Sequence, residues 1–408
     1  MSDTVNLSTK APGKAEGSLL VLGSSLTIMG AVMVAPMLPK MGAEFGPSEP
    51  QADMLVPLAV TGPALAIAIV APLAGWLADR AGRKKLLIIA TFLYALLGFL
   101  PAILNDLGSI VFSRLLFGCA EAAIMTCCTT LIADYWHGEN RMKFVNYQVV
   151  SIGLIGSIFF VIGGVLGESS WRTPFYLYLL PLLLIPFMMK VLWEPVKKAV
   201  EGMSQASQSD EKVAKLPLFI GYGMILGGMV LNFIVPIQTP TLLVEMGVVS
   251  TTKIGISAGL GLLATLIGSL SWPLLRGTFG IPFCNSILLA LLATGLWLLS
   301  CATTYENVLV AVTIHGIGAG LLVPNVMAEV MHALPKAVRG RGIGGFTSCL
   351  YLGQFVSPII VGAIMAASAS DLRSTIVKLA IVSFVIAGIW LIDSLFIRGP
   401  RAKAEAVT

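Results

Sequence analysis

The stretch GWLADRAGRKK, residues 75–85, sets Asp79, Arg80, Arg83, Lys84 and Lys85 within seven positions of an otherwise oily chain. The flanking runs PLAVTGPALAIAIVAPLAG (57–75) and LLIIATFLYALLGFLPAIL (86–104) are each long enough to cross a bilayer. The charges therefore mark a tight turn between two membrane helices. Composition points the same way. Over 408 residues, 56% are hydrophobic and 12% charged, mean hydropathy is +0.89, and soluble domains average about 25% charged. Backbone polar groups cannot be left unpaired in lipid, so such a chain spans as helices of roughly 20 apolar residues.

On that ruler the sequence divides into twelve spans. Six lie near 18–38, 54–76, 85–104, 108–133, 143–167 and 173–193, and six near 216–239, 252–275, 283–302, 306–331, 341–368 and 374–397. The expected fold is all-α, with two pseudo-symmetric six-helix bundles at 18–193 and 216–397. Residues 1–17 and 398–408 read as tails, the first too acidic for a signal peptide. The polar segment 194–215, EPVKKAVEGMSQASQSDEKVAK, reads as a solvated linker between the halves.

Lys and Arg set the orientation, because cytoplasmic loops carry their excess. With the N-terminus inside, 20 of the 26 fall in cytoplasmic segments, five in external ones, and Arg114 lies within a span. Both termini are thus expected in the cytoplasm, and the net charge of +5 reports topology, not nucleic-acid binding. The six cysteines sit in apolar spans without zinc or haem spacing, and the three histidines are scattered. No hydrolase, nucleotide or metalloprotease motif is present. The reading is therefore of a non-enzyme without cofactor or metal, embedded in the bilayer.

The turn at 75–85 resembles the major facilitator superfamily, whose loop between helices two and three follows G-x-L-a-D-r-x-G-r-k. Gly75, Leu77, Ala78, Asp79, Arg80, Gly82, Arg83 and Lys84 match it. RLLFGCAEAA (114–123), WRTPF (171–175) and YLGQFVSPIIVG (351–362) match further, the last two resembling the drug and metabolite proton-antiporter branch. The resemblance implies alternating access by rocking halves of one polypeptide, a monomer whose partners are protons and a small molecule. The compact loops and the lack of a targeting segment make a bacterial inner membrane the expected location. The resemblance also implies a cytoplasmic gate of Gly75, Asp79, Arg80, Gly82, Arg83 and Asp134, with Asp79 meeting the segment Gly340 to Gly345 and the arginines meeting Asp134. In the second half, WPLLRGTFGIPF (272–283) lacks the aspartate and most of the cations, so the latch is expected on one side only.

Inside the membrane, Arg114 and Glu121 stand seven residues apart on one face of helix four, about 10 Å along its axis. An ionisable group near mid-bilayer is costly unless paired, hydrated or protonated. Glu121 is the expected proton carrier, with Arg114 as a fixed cation that tunes it or orders the helix. By family analogy, cavity candidates are Met29, Met33, Met125, Asn232, Gln238, His315, Asn325, Tyr351 and Gln354. Methionines, aromatics and amides without clustered charge suit an amphiphilic or hydrophobic organic substrate. The expected activity is proton-coupled antiport of a drug or metabolite. Against it, GLIGSIFFVIGGVLG (153–167) has Phe160 and Val161 where antiporters of the family carry Gly-Pro. That departure favours the alternative, a symporter or uniporter taking up an organic acid or siderophore-like compound.

Overall fold

The computed structural model describes residues 12–195, 214–335 and 338–398. Most of the expected linker, the first eleven residues and the last ten lie outside the described residues. Among the described residues, eleven helical stretches are long and apolar enough to cross a bilayer. The longest, Thr251–Cys301, holds two spans joined at Gly280, whose φ of 76° and ψ of 175° are not helical. That joint brings the spans to twelve.

In chain order they are α1 (Lys14–Val32), α2 (Ala52–Ala81), α3 (Arg83–Phe99), α4 (Leu107–Tyr135), α5 (Gly138–Gly167) and α6 (Thr173–Val191). The second half holds α7 (Lys215–Glu245), α8 and α9 (251–279 and 281–301), α10 (Tyr305–Ala333), α11 (Arg339–Ser368) and α12 (Leu372–Ile392). Two buried apolar clusters form the cores. One draws on residues 19–192 with Ile237, the other on residues 225–390. The turn between α2 and α3 and the loop between α4 and α5 share one end of the bundle, called the basic end below.

Prolines inside the spans explain many of the polar contacts. A proline at position i has no N–H for the carbonyl at i−4, and lipid supplies no substitute. In α2, Pro63 opens the carbonyl of Ala59, and the Arg114 Nε donates to it at 3.1 Å. Pro72 opens the carbonyl of Ala68, and the Ser348 hydroxyl of α11 donates to it at 2.8 Å, across the two halves. The α1 helix stops before Pro36 and passes through a 3₁₀ turn at Ala35–Met37. Its last carbonyls are met by side chains: Tyr94 donates to Leu26, Tyr178 to Met29 at 2.8 Å, and the Arg114 Nη2 to Gly30.

The glycine-rich face of α5 lies along α8 and forms the closest seam between the halves. A Cβ on Gly164 would stand 2.4 Å from the Thr251 carbonyl oxygen, and one on Gly255 would stand 2.3 Å from that of Phe160. Small residues permit this backbone approach, as is common in membrane bundles. At the end opposite the basic one, the Thr251 hydroxyl donates to the Gly164 carbonyl at 2.7 Å. There Glu168 accepts from the Ser250 hydroxyl at 2.5 Å and the Thr252 N–H at 2.9 Å.

Glu168 lies outside the spans. The Ser250 hydroxyl and the Thr252 N–H hold its carboxyl down at about 2, aided by Lys40, against a usual 4.5. A carboxyl lowered in one conformation stabilises that conformation above its ordinary range and loses the effect as pH falls through the lowered value. The α5–α8 seam is therefore expected to hold at neutral pH and to loosen progressively from about pH 4.5 toward 2. Spin labels at the ends of α5 and α8 should report this as a growing distance, and Glu168→Gln should be longer at neutral pH and flat with acid.

Candidate functional site

A cavity of about 470 Å³ lies between the halves, lined from α1, α2, α4 and α5 on one side and α7, α8, α10 and α11 on the other. Its wall includes Glu121 but neither Lys nor Arg. Glu121 is 5% exposed, and its Oε2 is buried without a hydrogen-bond partner. That oxygen presses on α1, where a Cβ at Gly30 would stand 2.8 Å from it.

Arg114, fully buried, does not reach Glu121 as an ion pair. Its guanidinium bonds to the carbonyls of Ala59 and Gly30 and lies over Phe117 and Tyr178, 4.1 and 5.4 Å from the ring centroids. Of the two roles expected of Arg114, these bonds fit the ordering of helix α4 against α1 and α2. The Arg114 Nε and Nη2 go to carbonyls of α2 and α1, while Nη1 is buried without a hydrogen-bond partner. Arg114→Leu is expected to lower stability by roughly 3 kcal/mol, because the Ala59 carbonyl is left buried and unpaired. A midpoint several degrees lower for loss of monodisperse protein on heating would check this.

The wall also carries Met125, Asn232, His315, Tyr351 and Gln354. The Tyr351 hydroxyl meets the Met125 sulfur at 3.2 Å, joining α11 to α4 across the cavity. His315 Nδ1 lies 3.2 Å from the Leu292 carbonyl.

Four sequence candidates do not line the cavity. Ile28 and Val32 do, and Met29 and Met33, one residue on, turn about 100° away into the first-half core. Gln238 stands on α7 beyond the wall residue Pro236. Asn325 is buried toward the basic end, accepting from Trp272 at 3.0 Å and donating to Asn285 at 2.8 Å, and Asn285 donates to Glu329 at 3.3 Å. Sequence reasoning missed Gln148, whose amide donates to Ser24 at 2.6 Å and ties α5 to α1 in the wall.

At the basic end, Arg83 bonds to Asp79 at 3.0 Å and to Asp134. Gly82, at φ 95°, makes the turn, and the adjacent N–H groups of Arg83 and Lys84 donate to Glu194 at 2.6 and 2.9 Å. Glu194 thus caps α3, where a carboxylate at the first helical turn is favoured by about 0.3–1 kcal/mol. Reading it as the start of a solvated linker overlooked this. Gly75 is not at a close approach here, since an added Cβ would reach only Thr126, at 4.0 Å. Asp79 has a side chain 68% exposed. Among the described residues no hydrogen bond or ion pair joins it to residues 338–345. Arg80 covers Trp76 at 5.2 Å, and Arg276 covers Trp272 at 5.1 Å at the equivalent turn of the second half. The two turns share that i, i+4 stack, while Asp79 has no acidic counterpart at Leu275.

The family model described as Major Facilitator Superfamily matches residues 20–283. The chain belongs to the major facilitator superfamily. Among relatives of this facilitator, the 3-(3-hydroxy-phenyl)propionate transporter of Escherichia coli K12 is 25% identical over 72% of this chain and 73% of its own length. A gallate transporter of Pseudomonas putida is 34% identical over 37% of this chain, and this chain spans 34% of it. The quinolone resistance protein NorA of Staphylococcus aureus is 29% identical over 44% of this chain and 46% of its own length. Solved structures share the facilitator fold. The E. coli xylose transporter XylE, in an inward open conformation, superimposes at a TM-score of 0.72 with 16% identity, covering 92% of this chain and 95% of that one. The nucleoside transporter NupG gives 0.70 with 14% identity, covering 91% and 99%. The protein is therefore a multi-pass membrane transporter of a small molecule, not an enzyme.

Proposed function

We propose that this facilitator exchanges protons for an amphiphilic organic molecule, neutral or cationic, and works as an exporter. The observation that carries the reading is Glu121, a buried carboxylate with an unpaired oxygen, on the wall of an apolar cavity that has neither Lys nor Arg. A proton or a cationic substrate would compensate that carboxylate, and the two would compete for it. An organic anion would meet a negative group with no Lys or Arg among the described wall residues to offset it. Methionine, aromatic and amide side chains suit loose recognition of varied apolar bodies.

The excess of Lys and Arg supports a reading with the basic end and both termini in the cytoplasm, and the compact loops support a bacterial inner membrane. On that orientation, the closed α5–α8 seam and an Asp79 without a contact to α11 belong to an inward-facing state. Closing the basic end would bring Asp79 to the start of α11. The protein acts as a monomer, each half moving about the central cavity.

The test is proton flux in proteoliposomes under an imposed pH gradient, as hydrophobic cations, neutral drugs and organic acids are added in turn. Protons moving opposite to a cation or neutral drug support the reading. A second reading, proton symport of an aromatic acid for uptake, is favoured by the hydroxyphenylpropionate transporter's match over 72% of this chain and by Phe160 and Val161 in α5. Protons accompanying an organic acid would establish it and overturn export.

A further inference from the structure

We infer that Gly30 is a positioning residue for Glu121: its missing side chain is the socket that holds the carboxylate between α1 and the cavity. This rests on the reading of Glu121 as the coupling carboxylate. Three observations meet at this position. A Cβ on Gly30 would stand 2.8 Å from the Glu121 Oε2, 2.9 Å from a Phe117 ring carbon and 3.3 Å from the Glu121 carboxyl carbon. The Gly30 carbonyl is fixed from the other side by the Arg114 Nη2 and by the Tyr178 hydroxyl, the latter at 3.3 Å. Phe117 is wedged against Tyr94 and Tyr178, with ring centroids 4.4 and 5.3 Å away, and it carries the Arg114 guanidinium.

An added methyl at Gly30 therefore has one soft neighbour. The Gly30 carbonyl is held by two partners, and Phe117 is fully buried. The carboxylate is the free end of a flexible chain. It is displaced from α1 toward the cavity, and the fold is kept. In the wild type the same socket makes the seat of Glu121 depend on where α1 lies. Any movement of the break between Val32 and Ala35 that carries Gly30 must move the carboxylate or release it.

The test uses the full chain in detergent and proteoliposomes, with dicyclohexylcarbodiimide as the probe. Its addition to a carboxylic acid is read at residue 121 by peptide mass spectrometry and needs no transported substrate. Wild type should label slowly. Gly30→Ala should label at least about fivefold faster while remaining monodisperse on size exclusion. Glu121→Asp shortens the side chain by one methylene, so the pair Gly30→Ala with Glu121→Asp should return to the slow rate and couple protons better than either single change. Equal labelling of wild type and Gly30→Ala would overturn the socket, as would a paired variant no better than its singles. Loss of coupling in Glu121→Gln alongside either of those results would leave the carboxylate's role standing and remove only that of Gly30. Retained coupling in Glu121→Gln would remove the reading on which both rest.

Discussion

Glu121→Gln is expected to abolish proton-driven accumulation while leaving a folded protein that equilibrates substrate. Glutamine keeps the size and hydrogen-bonding capacity of the side chain, so its fit against Gly30 and Phe117 is unchanged. What it removes is the ability to exchange a proton for a positive charge. The wild-type carboxylate has no salt bridge to Arg114, whose Nε and Nη2 donate to the carbonyls of Ala59 and Gly30 while its Nη1 is buried without a hydrogen-bond partner. Neutralising the carboxylate breaks no direct salt bridge, so the variant escapes the full cost of splitting a buried hydrogen-bonded pair. Each pH unit is worth about 1.4 kcal/mol, so with one proton exchanged per substrate a gradient of about 2 units sustains up to about 100-fold accumulation. The variant should reach about onefold. Uptake into proteoliposomes with and without the gradient gives the ratio, and concentrative transport surviving in the variant removes Glu121 from the mechanism.

The second large effect is expected at the seam. In Gly255→Ala the new Cβ falls 2.3 Å from the Phe160 carbonyl oxygen and 3.1 Å from the Gly164 Cα, both main-chain atoms. Neither can swing aside as a side-chain tip would, so α5 and α8 must part. Overpacking of this kind costs typically 1–3 kcal/mol, and here the cost falls on one conformation, that in which the seam is shut. The populations should move away from it by about tenfold or more, with turnover falling in step because a cycle must pass through both states. Spin-label distances across the ends of α5 and α8 would register the shift. Gly227→Ala and Gly362→Ala, where an added Cβ meets nothing within 4 Å, serve as controls. A distance unchanged in Gly255→Ala would mean that the seam tolerates the methyl and does not govern the cycle.

Much of this architecture was legible in the sequence because bilayer thickness imposes it. Runs of apolar residues placed the spans to within a few positions, and the turn at 75–85 fixed both the family resemblance and the pairing of Arg83 with Asp134. What escaped the reading shows where one-dimensional pattern loses its hold. Ile28 and Met29 are neighbours of similar character, yet one lines the cavity and the other is buried in the first-half core, because helix phase depends on packing all round. Glu194 looked like the first residue of a polar linker, and only the approach of α6 to the turn beyond Gly82 makes it a cap. Gly280 was visible as one glycine in WPLLRGTFGIPF, and its non-helical backbone angles are what separate α8 from α9. The second-half candidate Asn325 was drawn into a network with Trp272 and Asn285 that no spacing announced.

The tie between Ser348 and Ala68 has a consequence for how this protein tolerates change. Its acceptor is main chain, so no exchange of the residue at 68 deletes it; inheritance of the bond falls on two distant codons, those for Ser348 and Pro72. Loss of the serine leaves a carbonyl stranded, whereas replacing Pro72 by alanine returns an N–H that lets α2 close on itself. The order of substitution then matters. Alanine at 72 first makes the later loss of Ser348 harmless, while the reverse order passes through a handicapped intermediate, so lineages should shed the proline before the hydroxyl.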